Sequence, residues 1–118
     1  MTQLKVMENN DRQSDDERRK EPRLKLSIEM EWSRGGDISP GTLSDLSRTG
    51  CFVLTKGEFD NGEVVRIYLP LTDGGRFEIL GEITNNVEDV GFGVRFVNVS
   101  DVQREFLVNF AELHHHQL

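Results

Sequence analysis

Two short stretches of the sequence combine residue types that could bind a small, compact anion. The first is "RRKEPR" at residues 18–23, in which Arg19 and Arg23 form an R-x-x-x-R spacing directly after Arg18. A guanidinium presents a planar fork of N–H donors that matches the oxygens of a phosphate. Pro22 bars a regular helix here and restricts its predecessor to extended conformations. We therefore expect the arginines to lie on a semi-extended arm.

The second stretch is "DLSRTG" at residues 45–50, which has a D-x-S-x-x-G pattern. Asp45 and Ser47 favour a turn because their side chains hydrogen-bond to nearby backbone, and Gly50 tolerates positive φ and close backbone approach. Arg48 occupies a variable position of this pattern. Taken alone, each stretch also has an ordinary interpretation, namely solvated surface arginines in the first case and a plain turn in the second.

The overall charge restricts what the bound anion can be. The chain has 118 residues, with 21 Asp and Glu against 14 Lys and Arg, and a net charge of −7. General binding to DNA or RNA depends on many phosphate contacts, which this balance opposes. Six of the fourteen cations nevertheless fall within residues 12–25. A local cationic cluster on an acidic body favours a small ligand over a polymer.

Several classes of protein are disfavoured by what the sequence lacks. No apolar run reaches the roughly 18 residues of a membrane span and no signal peptide is evident, which predicts a cytoplasmic protein without membrane insertion. The single cysteine, Cys51, cannot form an internal disulfide and is predicted to be a small buried hydrophobe. The histidines lie at 114–116, far from Asp45 and Ser47, so we predict no catalytic residue, no metal site and no enzyme.

Strand patterns account for most of the chain after the first motif. Across residues 24–32, apolar and polar residues alternate with the period of a half-buried strand, and Trp32 falls on the apolar side. Turn signals follow, among them Asn61-Gly62, a pair typical of hairpins. Six short strands are predicted: 24–32, 41–46, 51–55, 65–71, a fifth through Phe77, Ile79 and Ile83, and a sixth through Phe92, Val94 and Phe96.

The C-terminal segment has a helical period instead. Ser100 and Gln103 match a capping box, which predicts a helix over 101–113. The apolar stripe expected to cover the sheet consists of Val102, Phe106, Phe110 and Leu113. Short strands of this kind favour an all-β, six-stranded antiparallel β-barrel, since closure removes exposed edges. We expect a flexible tail (1–17), one barrel domain with the C-terminal helix (18–113) and a second tail (114–118).

The ordered pair of motifs on this strand pattern resembles the PilZ domain family, bacterial receptors for the second messenger cyclic di-GMP. The family pattern is R-x-x-x-R followed by [D/N]-x-S-x-x-G on a six-stranded barrel, and every motif position is filled here. "GFGVRF" at 91–96 is similar to the glycine-containing late strand of these domains. The resemblance covers roughly residues 18–112 and implies a signalling receptor with no cofactor beyond its nucleotide ligand.

The resemblance also implies which residues contact cyclic di-GMP. It assigns Arg19 and Arg23 to phosphate and guanine. The other guanine and its surroundings are assigned to Asp45, Ser47 and Gly50. The chemistry agrees, because arginine also matches guanine O6 and N7, and a carboxylate accepts hydrogen bonds from guanine N1–H and N2–H.

Further positions extend this implied site. Arg48, inside the second motif, is a candidate contact. If the apolar residues of the last strand face the core, Gly91, Gly93 and Arg95 face outward, and Gly93 becomes a candidate floor for a flat base. The alternative is that these glycines only let the barrel bend. In family members an arginine placed like Arg18 tends to accompany binding of a ligand pair, so we expect two cyclic di-GMP molecules per chain.

The implied mechanism is conformational. Ligand phosphates would neutralise the arginine arm and close it over the barrel, which changes the surface seen by a separate downstream effector protein in motility, adhesion or exopolysaccharide control. We expect a monomer or weak dimer. Two alternatives remain, namely an interaction module of the same fold that binds no nucleotide, and an oligonucleotide-binding barrel. The latter needs exposed aromatic residues among basic ones, whereas the aromatics here occupy core-like positions.

Overall fold

Six antiparallel strands close into a barrel and one helix follows them in the computed structural model, which describes residues 23–115. The elements are β1 (Leu24–Arg34), β2 (Asp37–Leu46), β3 (Gly50–Leu54), β4 (Val64–Pro70), β5 (Arg76–Val87), β6 (Gly91–Phe96) and α1 (Asp101–His115). The predicted fold class is confirmed. The predicted tail 1–17 and the predicted contact residues Arg18 and Arg19 lie outside the described residues.

The barrel closes because β1 has a hydrogen-bonded neighbour on each side. Around the barrel the strands follow the order β1-β2-β3-β6-β5-β4, and β1 pairs with both β2 and β4. The inward side chains of the alternating pattern fill the interior, and Leu43, Val53 and Phe92 have no exposed surface. Trp32 is 4% exposed, and its ring meets Phe92 edge to face at 5.1 Å between centroids. Its predicted place in the core is confirmed.

The segment between β3 and β4 contains Asn61-Gly62, the pair typical of hairpins. Asn61 and Gly62 form the predicted turn. It does not make a hairpin, because β3 pairs with β2 and β6 while β4 pairs with β1 and β5. The loop instead connects strands on opposite sides of the barrel. Phe59 anchors it by packing against Trp32 and Phe92, with ring centroids 5.4 and 4.8 Å apart. Long-range pairing has overridden a local turn preference.

Helix α1 begins where the sequence predicts. The backbone N–H of Ser100 donates to Gln103 Oε1 at 3.0 Å, and the N–H of Gln103 donates to Ser100 Oγ at 3.1 Å, which confirms the capping box. The helix ends at His115, two residues beyond the predicted end. Within residues 23–115, no helix is both long enough and apolar enough to cross a membrane.

The buried face of α1 differs from the predicted stripe. Val102 and Leu113 are 76% and 56% exposed, so their assignment to the covering stripe is wrong. The ring of Phe106 stacks on Phe77 of β5 at 3.9 Å, and this contact turns the next position of the helix towards the core. The helical residues that are buried are Leu107, Phe110 and Ala111.

Candidate functional site

Arg23 and Asp45, one from each sequence motif, meet where β1 begins and β2 ends. The β1–β2 register sets Lys25 opposite Asp45, so the chain entering β1 lies beside the end of β2. Arg23 Nη1 is 2.7 Å from Asp45 Oδ1, and the two side chains are 51% and 16% exposed. The structure therefore brings the two motifs together and leaves a donor and an acceptor side by side at the surface.

The second motif folds as a turn that Ser47 holds from within. Ser47 Oγ accepts hydrogen bonds from the backbone N–H groups of Thr49 and Gly50 at 3.1 and 3.2 Å, and the residue is 5% exposed. A backbone bond from Ser47 N–H to the Gly50 carbonyl closes the turn at 2.9 Å. The hydroxyl thus shapes the loop next to Asp45 and leaves Arg48 exposed on it. The predicted ligand contacts of Ser47 and Arg48 stay predictions.

Gly50 is required by the packing of β3 on β6. The φ of Gly50 is not positive, so tolerance of positive φ does not explain a glycine here. The reason is close approach, because a Cβ at Gly50 would lie 2.1 Å from the carbonyl oxygen of Val94. Gly91 is constrained in the same way, since its Cβ would lie 1.9 Å from the carbonyl oxygen of Val53. Strand packing therefore accounts for both glycines without a ligand, and the contact predicted for Gly50 stays a prediction.

Gly93 differs, because no close approach in the barrel requires a glycine there. A Cβ at this position would make ordinary contacts, 3.5 Å from Phe52 Cδ1 and 3.7 Å from Asn85 Cβ. In the ladder, Gly93 pairs with Phe52 of β3 on one side and with Asn85 of β5 on the other. The missing side chain leaves a flat strip of backbone between a ring and an amide. We call Phe52, Gly93 and Asn85 together the Gly93 shelf.

The Gly93 shelf is continuous with the two motifs. Asp45 pairs across the ladder with Phe52, which in turn pairs with Gly93. Arg95 is exposed as predicted, and its Nη2 is held by Glu82 Oε1 at 2.6 Å. One connected outer surface of β2, β3, β6 and β5 therefore carries a carboxylate, a half-buried ring, bare backbone and an amide. Such a surface can bind a flat polar molecule through its edges and one face.

Cys51 lies directly behind this surface, on the inner side of β3. It is 1% exposed, and burial, followed by the nearby Asp45 carboxylate, raises the pKa of its thiol well above the ordinary value. The thiol stays protonated and unreactive, as predicted for a buried hydrophobe. In the part of the chain that the structure describes, no three metal-ligating side chains cluster together.

Sequence patterns do not single out Phe52 or Asn85. Phe52 belongs to the predicted strand 51–55, whose apolar sequence is typical of a mostly buried strand, yet its side chain is partly exposed. Asn85 follows Ile83 by two positions, so strict alternation would point it inward. The β5–β6 pairing slips between these two residues, and such a bulge turns the following side chains to the other face. The only sequence signal is a polar residue at a position that alternation assigns to the core.

Comparison with known proteins identifies the family and the fold of this chain. Residues 17–113 match the family model of the PilZ domain. No curated protein matches the chain in sequence.

Several solved structures share the fold. The PilZ domain of YcgR from Escherichia coli, with cyclic di-GMP, superposes with a TM-score of 0.71 at 17% identity over 85% of this chain and 93% of that chain. The Bacillus subtilis inhibitor of motility MotI/DgrA gives 0.67 at 14% identity over 85% of this chain, which spans 52% of that protein. The PilZ domain of CeSA, from a cellulose-synthesizing bacterium, gives 0.60 at 22% identity, covering 76% and 94%.

The family match extends from the arginine arm to the helix, and the barrel, its strand order and the meeting of the two motifs are built within those residues. The predicted resemblance is confirmed: this chain belongs to the PilZ domain family.

Proposed function

We propose that this chain is a receptor that binds cyclic di-GMP on the outer surface of β2, β3 and β6. The observation that carries the proposal is the 2.7 Å contact between Arg23 and Asp45, which puts the two motifs at one place on the barrel. Membership of the PilZ family supports it. The E. coli YcgR domain, whose structure contains cyclic di-GMP, shares the fold.

The chemistry of the ligand fits the groups present. Cyclic di-GMP carries two phosphates and two guanines, and the Arg23 guanidinium can donate two parallel hydrogen bonds to phosphate or to guanine O6 and N7. The Asp45 carboxylate only accepts hydrogen bonds, which suits guanine N1–H and N2–H. Ser47 and Gly50 fix the loop and strand that position this carboxylate.

The Arg23–Asp45 pair has to exchange its internal contact for contacts to the ligand. Because the arginine is half exposed, the pair contributes only about 0.2–1 kcal/mol. A hydrogen bond to a charged group contributes about 1.5–3 kcal/mol. Two such bonds to the ligand outweigh the pair, which in the absence of ligand keeps both side chains near their binding positions.

The number of ligands per chain depends on residues outside those described. We propose that Arg18, with Arg19, adds the positive charge needed to hold two cyclic di-GMP molecules, since an intercalated pair concentrates four phosphate charges. Calorimetry is expected to give two ligands per wild-type chain and one per Arg18→Ala chain. A single ligand bound by the wild type would contradict this.

We also propose that the bound ligand closes the arginine arm over the barrel and that a separate effector protein recognises the changed surface, in motility, adhesion or exopolysaccharide control. MotI/DgrA, with the same fold, is an inhibitor of motility. Hydrogen exchange of residues 12–23 should slow when cyclic di-GMP is added. Equal exchange with and without ligand would contradict the closing of the arm.

The binding proposal is tested by titrating cyclic di-GMP, cyclic di-AMP and GTP into the wild type and Asp45→Ala. The wild type should prefer cyclic di-GMP, and Asp45→Ala should bind it about 10- to 100-fold more weakly. Glu78→Ala is the matched control, because Glu78 is an exposed carboxylate paired with Arg66 elsewhere on the barrel, and its affinity should be unchanged. A wild type that binds no cyclic di-GMP would instead favour the interaction module.

A further inference from the structure

The Gly93 shelf contains an amide with both of its polar groups open. Asn85 is exposed, and its side chain makes no hydrogen bond to any residue in the range 23–115. The adjacent Asn86 is different, because its Nδ2 donates to Asn61 Oδ1 at 3.0 Å. An unpaired amide beside bare backbone can bind the edge of a flat base, since it offers one acceptor oxygen and two N–H donors.

The bulge in β5 is what puts Asn85 on this surface. Pairing with β6 proceeds from Ile83 opposite Val94 to Asn85 opposite Gly93, so Thr84 is the extra residue. The Cβ of Asn85 then lies 3.7 Å from where a Cβ of Gly93 would be, which shows that both positions share one face. β-Bulges commonly re-aim a side chain next to a functional site.

Asp45 and Asn85 lie at the two ends of one row of paired residues that crosses β2, β3, β6 and β5. Along the ladder, Asp45 neighbours Phe52, and Asn85 neighbours Gly93, with β3 and β6 between them. The two bases of a cyclic dinucleotide project from opposite sides of one phosphate–ribose ring. Two separated groups are therefore better placed to recognise them than two adjacent ones.

We propose that Asn85 recognises, over Gly93, the second base of the cyclic dinucleotide molecule whose first base lies at Asp45, and that it accepts either guanine or adenine there. This inference rests on the proposed binding of cyclic di-GMP. It assigns the protein a second ligand class, the hybrid cyclic dinucleotide that contains one guanine and one adenine.

Asn85 can accept both purines, and Asp45 only guanine, because an amide both donates and accepts hydrogen bonds whereas a carboxylate only accepts them. Asp45 only accepts hydrogen bonds, so it binds the adjacent N1–H and N2–H of guanine and opposes the N1 acceptor of adenine. The Asn85 amide can donate to guanine O6 while accepting from N1–H. Rotated by 180°, it donates to adenine N1 while accepting from N6–H. Both purines receive two hydrogen bonds at Asn85, whereas only guanine receives two at Asp45.

The expected order of affinities follows from these contacts. Cyclic di-GMP and the hybrid cyclic GMP–AMP should bind the wild type within about threefold of each other, the hybrid with its guanine at Asp45. Cyclic di-AMP cannot satisfy Asp45 in either orientation, so it should bind roughly 10- to 100-fold more weakly, the discrimination typical of one bidentate base contact.

The test is calorimetry on the full chain with these three nucleotides and two matched variants. Asn85→Asp leaves only acceptors at the shelf, so it should weaken the hybrid relative to cyclic di-GMP by about tenfold or more. Asn86→Asp adds the same charge one residue away, where the side chain contacts Asn61. It should lower both affinities equally and leave their ratio at the wild-type value. Comparing the ratio of the two affinities between variants cancels the effect of general repulsion between an added carboxylate and an anionic ligand.

Failure of the Asn85 role and failure of the proposed receptor function give different results in this experiment. If the wild type binds cyclic di-GMP but rejects the hybrid as strongly as cyclic di-AMP, the role of Asn85 is wrong and the receptor function stands. The same holds if Asn85→Asp and Asn86→Asp give equal ratios. If the wild type binds none of the three nucleotides, both proposals fail together.

Discussion

The two sides of the barrel carry opposite kinds of surface. On β1, β4 and β5, long charged side chains cross from strand to strand. Arg66 pairs with Glu78, and Arg76 pairs with Glu31 while its guanidinium lies 4.4 Å from the centroid of the Tyr68 ring. These groups satisfy one another, as cross-strand pairs on a solvated sheet usually do. Both arginines of this surface therefore have a carboxylate partner within the barrel.

The opposite side, formed by β3 and β6, has few large side chains. Its outward positions are Gly50, Phe52, Leu54, Gly91, Gly93 and Arg95. Half of these are glycines, and the charged groups that flank the surface, Arg23 and Asp45, come from the two sequence motifs. The glycines of this side have two different roles. Gly50 and Gly91 serve strand packing, whereas Gly93 leaves room that the barrel itself does not need.

The largest expected effect is on the free energy of unfolding, which should distinguish the packing role of Gly50 from the open position of Gly93. Gly50→Ala would push a Cβ to 2.1 Å from the Val94 carbonyl oxygen, and backbone on both strands must move. We expect a loss of about 3 kcal/mol in the free energy of unfolding, which lowers Tm by more than about 10 °C in a domain of this size. Thermal unfolding followed by circular dichroism measures it. Gly93→Ala is the matched control, and equal Tm values for the two variants would remove the distinction.

The next prediction compares two arginines, one beside each surface. Arg23→Ala removes the guanidinium that flanks the β3–β6 surface and should weaken cyclic di-GMP binding about 10- to 100-fold, because charged hydrogen bonds to the ligand are lost. Arg76→Ala removes one from the ion-paired side and should leave the affinity within about twofold. Titration calorimetry measures the affinity of both variants for cyclic di-GMP. Equal losses would mean that the arginines act through general attraction rather than through a defined site.

Gly93→Ala should affect binding but not folding. Its Cβ would meet Phe52 and Asn85 at ordinary distances, and alanine is up to about 1 kcal/mol more favourable than glycine inside a strand. The free energy of unfolding should therefore stay constant or rise slightly. The affinity for cyclic di-GMP should fall by about tenfold, because the added methyl group would lift a base away from this surface and stacking of a base contributes about 1–3 kcal/mol. An unchanged affinity would show that no base lies on the Gly93 shelf.

The sequence predicts most of the fold and about half of this surface. Alternation over residues 24–32 and the capping box at Ser100 are local signals, and both hold in the structure. The motif pair predicts that Arg23 and Asp45 meet. Asn85 escapes prediction because a bulge reverses the alternation, and a bulge is fixed by pairing with a distant strand.

The exposed face of α1 escapes prediction for a related reason. The helical period identifies apolar positions but not which of them faces the barrel, and Val102 is exposed because Phe106 stacks on Phe77 instead. The Asn61-Gly62 turn forms, but it does not join two paired strands, because β3 pairs with β6 and β4 pairs with β5. In each case the missing information is a contact between residues far apart in the chain.

The smallest expected effect tests whether the two sides respond differently to ligand. Double-mutant cycles on unfolding should give a coupling of about 0.2–1 kcal/mol for Arg66 with Glu78 and for Arg23 with Asp45, since both pairs are exposed. Both couplings should shrink as salt is added. Saturating cyclic di-GMP should change the Arg23–Asp45 coupling, because in the proposed complex the ligand contacts both side chains and each then stabilises the folded state through it. The Arg66–Glu78 coupling should stay constant, and a shift in that pair would place the ligand on the ion-paired side instead.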